Sequence, residues 1–508
     1  MPVKKRKPVK KKTFHAKGRS SGKQGHFLRN VSFAFLIVAL GFFILSPASD
    51  FNPSWGEPER FVSEKGRLDA SLIAQEVEEV IGGKRVTARV YNDNYVAPVL
   101  DVQAGDMLRI NLTNNLNEPT NLHFHGGHVS PRNNSDNTLL TIAPGETFVY
   151  EYEIPGNHPS GLFWYHPLLA SVSEQQIQGG MAGAIIVRGD LDKLPGIKDL
   201  SEKLLVLTTQ DGEDHNTPVR LVNGRETPPL YIRPGEIQRW RIVNASSEDF
   251  FNIALPEQKL RIISRDGRPL DQVIESDSEV MAPGDRIEIL VRGGLWGTYD
   301  VESLPFNQGF IRYEKSTIMH LVVAGFPVWP KELPTQLIAS EDLRDARVNN
   351  QRTLTFSLTD DEEDPAFLLD GKAFNPRSTS QVMILGTTEE WSLVNDSREV
   401  LPFHTALNPF QVISINGEAV EFHGYEDTIA LPAKSTVVMR TQYKDFDGKF
   451  FLYGGLFYHT DQGMMQLGEV IKPGYGLAVD NGLPEKEGEI RDQDDVEEEQ
   501  RQGDRYQQ

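Results

Sequence analysis

One local pattern recurs three times along the chain, and it limits the fold more than any single residue does. Gly105-Asp-Met-Leu-Arg-Ile-Asn-Leu-Thr-Asn114, Gly235-Glu-Ile-Gln-Arg-Trp-Arg-Ile-Val-Asn244 and Gly386-Thr-Thr-Glu-Glu-Trp-Ser-Leu-Val-Asn395 each run from a glycine to an asparagine nine residues on. Between the two ends, apolar and polar side chains alternate with the period of a half-buried strand. Each copy is followed by a second turn and strand: Pro144-Gly-Glu-Thr-Phe-Val-Tyr-Glu-Tyr-Glu-Ile154, Pro283-Gly-Asp-Arg-Ile-Glu-Ile-Leu-Val291 and Leu431-Pro-Ala-Lys-Ser-Thr-Val-Val-Met-Arg440. Repeats spaced by roughly 130–150 residues are too long for a solenoid unit and match three similar β-sandwich domains.

The pattern predicts an all-β chain with domains over 66–190, 200–326 and 350–475. Asp190-Leu-Asp-Lys-Leu-Pro195 and Pro327-Val-Trp-Pro-Lys-Glu-Leu-Pro334 are the expected linkers. The segment Leu72–Val80 fits either a short helix or an edge strand, and its pattern does not choose between them.

The ends differ sharply from the body. Residues 1–29 hold eleven Lys/Arg and no acid, against −31 on the remainder, for a net charge of −20. That acidic balance argues against a nucleic-acid partner. The Lys4–Lys7 and Lys10–Lys12 clusters instead precede an apolar run, 31–47, as in an export signal. The run is long enough to serve as a signal-peptide core cleaved near Ser46-Pro47-Ala48, or as an uncleaved anchor in the inner membrane. In both cases residues 1–30 are expected on the cytoplasmic side and the rest beyond it, in the periplasm or at the cell surface. The acidic stretch 484–508 is poor in apolar residues and is expected to be disordered.

Metal chemistry is the one activity that the residues suggest. His123, His125 and His128 lie within six residues in a chain with only 12 histidines. In an extended strand His123 and His125 project from the same face, as two ligands would. The bland alternative is a pair of half-buried hydrogen-bonding histidines. No cysteine is present anywhere, so disulfides, thiolate ligands and thiol nucleophiles are all excluded.

Four segments align with a known pattern. They are His123-Phe-His125-Gly126, Gly161-Leu-Phe-Trp-Tyr-His-Pro-Leu-Leu169, Leu401-Pro-Phe-His-Thr-Ala-Leu-Asn-Pro-Phe-Gln-Val412 and Tyr453-Gly-Gly-Leu-Phe-Tyr-His-Thr-Asp-Gln-Gly-Met-Met465. In this order they resemble the four copper-binding segments of the three-domain, laccase-like multicopper oxidases. The resemblance extends over 66–475 and implies three consecutive cupredoxin-like Greek-key sandwiches.

It also implies a degenerate site. In the family's pattern His123 and His404 stand at type 2 copper positions, and His125 and His166 at type 3 positions. His459 and Met464 stand at type 1 positions. Leu168, Leu401, Ala406 and the triplet Tyr453-Gly454-Gly455 occupy places where the family carries further ligands, including its one cysteine. Of the family's ten histidines and one cysteine, five of eleven remain by this resemblance, His123, His125, His166, His404 and His459, with the axial methionine position kept as well in Met464. A blue-copper site needs a thiolate, so the type 1 centre cannot form, and the dinuclear type 3 pair loses most of its imidazoles. His459 and Met464 are expected to be packing residues. His123, His125, His166 and His404 are expected to meet between domains 1 and 3, holding one copper or zinc ion or none. His128 is expected at the surface or behind the ligands.

The remaining candidates are weaker. Gly179-Gly180-Met181-Ala182-Gly183 leads into an apolar run and reads as the strand closing domain 1, not a phosphate loop. His215 is expected in a solvated acidic loop, His320 and His423 in core or loop settings, and Asp360–Asp364 in an acidic loop able to offer oxygens to a hard cation. Fold alone does not fix function. The sequence therefore supports two rival readings. One is an exported non-oxidase scaffold that binds a protein partner in the cell envelope; the other is a mononuclear metalloprotein. A laccase-like oxidase is not expected.

Overall fold

Each of the three Gly-to-Asn runs is a strand, and each ends on the same side-chain device. The strands are Met107–Asn114, Ile237–Asn244 and Thr387–Asn395. The glycine before each sits in the left-handed region, with φ of 95°, 77° and 88° at Gly105, Gly235 and Gly386, where side chains are strained. The terminal asparagine is buried in all three copies. Its Oδ1 accepts the backbone N–H two residues on, from Leu116, Ser246 and Ser397 at 3.0, 3.1 and 3.0 Å.

The asparagine Nδ2 makes two further bonds in every copy, and at Asn395 a third, to the Pro432 carbonyl. It donates to the loop that follows, at the Glu118, Asp249 and Glu399 carbonyls. It also donates to the Ile142, Met281 and Leu431 carbonyls, just before the second turn of each repeat. One amide thus satisfies at least three buried backbone groups that would otherwise lack partners.

The computed structural model describes residues 55–210, 218–329, 331–359 and 365–474. The basic segment, the 31–47 run, His215, the Asp360–Asp364 loop and the acidic tail lie outside the described residues. No helix among the described residues is long and apolar enough to cross a membrane.

The strands form three successive pairs of facing sheets. The first pair, over 60–188, has five and four strands; the second, over 201–323, six and five; the third, over 350–471, six and five. Each pair encloses its own apolar core, the first containing Leu72, Leu108, Phe124 and Phe163, the second Trp240, Ile262 and Leu321, the third Trp391, Phe403 and Leu452. A fourth cluster joins all three, with Trp164 and Leu168 against Val206, Val243, Tyr453 and Phe457. The three sandwiches up to Ile471 make one compact unit.

Several local expectations are resolved or change. Leu72–Val80 is strand and not helix, and from Gln75 on it pairs on one side only, as an edge strand does. It lies within Arg67–Ile81, which pairs in parallel with Met107–Asn114 and antiparallel with Lys84–Tyr91 across a Gly82-Gly83 turn. The strand Ile237–Asn244 alternates as its pattern requires but is buried on both faces. Its arginines escape isolation by pairing: Arg239 and Arg241 reach Glu288 at 2.6 and 2.7 Å and Asp192 at 2.9 and 2.8 Å. Asp192 belongs to Asp190–Lys193, a short helix where a plain linker was expected. The Pro327–Pro334 stretch also runs against domain 2, where Val328 N–H donates to the Pro234 carbonyl.

Replacing one terminal asparagine tests the repeat device directly. Asn395→Ala takes the amide from the Glu399, Leu431 and Pro432 carbonyls and from the Ser397 N–H in the third sandwich, and should lower stability by about 1–3 kcal/mol for each group left buried without a partner. Thermal and urea unfolding should both register the loss, and an unchanged midpoint would show that water replaces the amide.

Candidate metal centre

The strand His123–His125 is the outermost strand of the first five-stranded sheet. It pairs antiparallel with Gly161–His166 so that His123 lies opposite His166 and His125 opposite Trp164. Three histidines therefore come from two neighbouring strands of one sheet. The fourth, His404, comes from Leu401–Thr405 in the third sandwich. Its ring stacks on His125 at 3.6 Å between centroids. His123, His125 and His404 each offer a ring nitrogen within 4.8 Å of the others, and all three are buried. The structure thus brings together the four histidines expected from the sequence, with His166 bonded to His125 at 3.1 Å.

The hydrogen bonds define which nitrogens carry protons. His123 Nδ1 faces both oxygens of Asp136 at 3.0 and 3.2 Å. His166 Nδ1 faces the Pro167 carbonyl at 2.8 Å. His404 Nδ1 lies 3.1 Å from Thr428 Oγ1 and 3.3 Å from Asp427 Oδ1. Carbonyls and carboxylates only accept, so these nitrogens bear the hydrogens and each Nε2 keeps a lone pair. His166 spends its lone pair on His125. The Nε2 atoms of His123 and His404 are buried and have no protein partner.

This is the chemistry of a metal-ready pair: a carboxylate fixes the tautomer and raises ligand basicity, while the other nitrogen points at the site. Burial, with neighbouring histidines and Arg286, holds His125 and His166 well below the usual imidazole range. Burial likewise lowers His404 to about 4, despite the opposing pull of Asp427. Imidazoles kept neutral in this way suit a cation. The donor set therefore fits one imidazole-bound ion at His123 and His404, with His125 alongside.

The rest of the family's ligand pattern does not fit a metal. Leu401 and Met464 lie in the third core and Leu168 in the cluster between domains. A Cβ on Gly454, the expected cysteine position, would sit 3.0 Å from Met464 Sδ, and one on Gly455 would sit 2.7 Å from Pro402 Cβ. His459 stacks on Phe367 at 4.1 Å, and burial pushes it down to about 3. Tyr453 fills another ligand place, its hydroxyl 3.3 Å from His125 Nδ1. His128 stays apart from the cluster: its ring bridges to Asp445 at 2.7 Å and to the Leu407 carbonyl. His320 sits half-exposed on a strand, in neither core nor loop, 2.8 Å from Asp300. His423 lies in a loop beside Asp271.

Sequence reasoning missed the groups behind the histidines. Asp427 is fully buried and accepts from Arg286 at 2.8 and 2.6 Å and from Arg268 at 2.7 Å. Both arginines belong to domain 2. Arg268 also donates to the Gly126 carbonyl of domain 1, and Asp266 accepts the Asp427 and Thr428 N–H groups. Gly126 must lack a side chain, since its Cβ would fall 2.3 Å from Arg286 and 2.5 Å from Asp427. None of these charges has a nearby partner in sequence, and the only local hint was Arg286 in the second turn-strand of the middle repeat.

Two substitutions test buried charges, one in this frame and one outside it. Asp427→Asn leaves two buried arginines short of their carboxylate and should destabilise the chain by about 3–5 kcal/mol, read as a lowered melting temperature. Elsewhere, Glu248 accepts the Tyr458 N–H at 2.8 Å. Burial, then the charge of Glu174, pushes Glu248 up to about 8. An acid whose folded value is raised stabilises below its unfolded value of about 4.3 and loses that contribution as pH rises through the folded value. Melting temperature should therefore fall between pH about 5 and about 8 in the native chain, and less so in Glu248→Gln. Parallel curves would remove Glu248 as the cause.

Comparison with known proteins agrees with this architecture. Residues 73–192, 201–298 and 346–471 each match the sequence family described as "Multicopper oxidase". Similar proteins include "Multicopper oxidase mco" of Staphylococcus aureus, 24% identical over 396 residues, covering 74% of this chain and 82% of that protein. "Cell division protein FtsP" of Xenorhabdus nematophila is 23% identical over 421 residues, covering 75% of this chain and 85% of that one. Among solved structures, a multicopper oxidase from Campylobacter jejuni superposes with a TM-score of 0.72 at 24% identity, over 84% of this chain and 97% of that one. McoA from Aquifex aeolicus gives 0.73 at 22% identity, over 82% and 99%. With three matched segments covering most of its length and three sandwiches in the same succession, the chain belongs to the multicopper oxidase superfamily.

Proposed function

We propose that this chain is a non-oxidase member of the superfamily, exported from the cytoplasm and acting as a scaffold or binding protein in the cell envelope. The observation that carries the reading is the state of the positions around Gly454. The chain has no cysteine. The space where a cysteine side chain would begin is bounded by Met464 Sδ, 3.0 Å from a Cβ there. Without a thiolate there is no blue-copper centre to accept electrons from a substrate. Without most of the type 3 imidazoles there is no coupled cluster to reduce oxygen.

The similarity to proteins named for cell division supports an envelope role, as does the basic, then apolar, N-terminal sequence. In this reading 31–47 serves as a signal or as an inner-membrane anchor, and the functional partner is an envelope protein. After loading with copper, the purified chain should show neither the blue absorption of a copper–thiolate bond nor turnover of a phenolic substrate. Either signal would overturn the proposal.

A second reading is favoured by one specific observation, the two unpartnered Nε2 atoms. Here His123 and His404, with His125 and His166 beside them, hold a single copper or zinc ion. Such an ion supplies Lewis acidity toward a bound water or, as copper, one-electron exchange. The protein's own part is to orient the two imidazoles through Asp136 and Asp427 and to bury both, which holds His404 neutral. Metal analysis of chain isolated from its native compartment separates the two readings. About one ion per chain in the native protein and none in His123→Ala/His404→Ala would establish the site, and equal traces in both would eliminate it.

A further inference from the structure

Two of the four clustered histidines are spent on the protein itself. The Pro167 carbonyl takes the His166 Nδ1–H, so His166 Nε2 must accept, and it accepts from His125 Nδ1 at 3.1 Å. The lone pair left to His125, on Nε2, faces Thr428 Oγ1 at 3.2 Å. The hydroxyl's other neighbour, Asp427 Oδ1 at 3.0 Å, already accepts from Arg286 and faces His404 Nδ1, which leaves the hydroxyl proton for His125. Stacking excludes His125 a second time. Its ring lies 3.6 Å from that of His404, with 26° between the planes. Two nearly parallel imidazoles send their in-plane lone pairs side by side and cannot aim both at one point.

What remains is a pair, His123 Nε2 and His404 Nε2, both buried and without a protein partner. Their ring centres are 6.0 Å apart. With metal–nitrogen bonds of about 2.0 Å, two imidazoles on a tetrahedral ion have centres roughly 5 Å apart, and on opposite sides of an ion roughly 6 Å apart. The spacing here is that of the opposed arrangement. Zinc is held by three or four protein ligands and copper(II) by a tetragonal set, so both need donors that His125 and His166 cannot give. A closed-shell monovalent ion such as copper(I) is satisfied by two nitrogens in line.

Charge points the same way. Asp427 is already balanced by Arg268 and Arg286. Asp136 is buried, and among the described residues its one ion-pair contact is with His123. The cost of burying an ion rises with the square of its charge, so one positive charge is matched here and a second is not.

We propose that the cluster is a two-coordinate site for a soft monovalent cation, copper(I), held between His123 Nε2 and His404 Nε2, with His125 and His166 as framework and not as ligands. The inference rests on the metal-binding reading of the cluster and names the ion that it selects.

The full chain, stripped of metal and kept free of oxygen, is titrated against the coloured copper(I)–bicinchoninate complex and, separately, with zinc(II) against a zinc-responsive dye. One equivalent of copper(I) should transfer, silver(I) should compete for it, and zinc should bind at least about 100-fold more weakly. X-ray absorption of the copper(I) form should show two nitrogen neighbours. His123→Ala and His404→Ala should each weaken copper(I) binding by at least about 100-fold, more than loss of an outer contact does. His125→Phe, which keeps the stack on His404, should weaken it by less than about tenfold. If that variant does not fold, X-ray absorption on the native chain carries the test.

No uptake of any of these ions would overturn the metal-binding reading and the inference together. Three or more nitrogen neighbours, zinc bound as tightly as copper(I), or a folded His125→Phe chain that loses copper(I) would overturn the inference and leave the metal-binding reading standing.

Discussion

The carboxylate of Asp427 is the point on which the three sandwiches and the histidine cluster depend together. It belongs to domain 3, is buried completely, and is held by two arginines of domain 2. One of those arginines reaches on to the Gly126 carbonyl of domain 1. A buried charge without such partners would be costly, and the arginines would be equally costly without it. The three domains must therefore dock in one arrangement for any of these groups to be satisfied. The same carboxylate then orients His404, so the geometry of the cluster is a product of domain docking and not of any single strand.

The same coupling ties two of the clustered histidines to the fold. The His123 and His404 nitrogens are backed by carboxylates that also serve the fold: Asp136 accepts the Phe124 N–H at 2.8 Å as well as facing His123. Removing the imidazoles would leave those carboxylates buried beside empty space. The positions that carry no ligand, and the retained Met464, have no such tie. Leu168, Leu401 and Met464 contribute to apolar cores, and the Gly454-Gly455 backbone lies close against Met464 and Pro402. Apolar packing fills these positions.

Tyr453 shows the same substitution at the boundary between the two regions. It keeps a polar tip near His125 while its ring joins the cluster of apolar residues between the domains. Burial raises its phenol well above the usual range, so the hydroxyl stays protonated and neutral beside the imidazoles. Tyr453 thus adds a neutral hydroxyl to a site framed by buried charges.

The sequence by itself determined the elements and the inventory. Strand period, the Gly-to-Asn spacing and the absence of cysteine are local facts, and they suffice for three sandwiches and for the loss of a thiolate centre. Even His123 and His125 were legible, because two residues apart on a strand means one face. What the sequence left open was decided by contacts between residues far apart in the chain. That Leu72–Val80 is a strand and not a helix depended on Lys84–Tyr91 and, at Leu72–Ala74, Met107–Asn114 arriving beside it. Whether four histidines met depended on domain 3 docking on domain 1. Asp427, Arg286 and Arg268 carried no local signal, because a charge reads as solvated until its partner, up to 159 residues away, is brought to it. Periodicity is written within one strand, whereas the balance of buried charge exists only once the domains have closed around it.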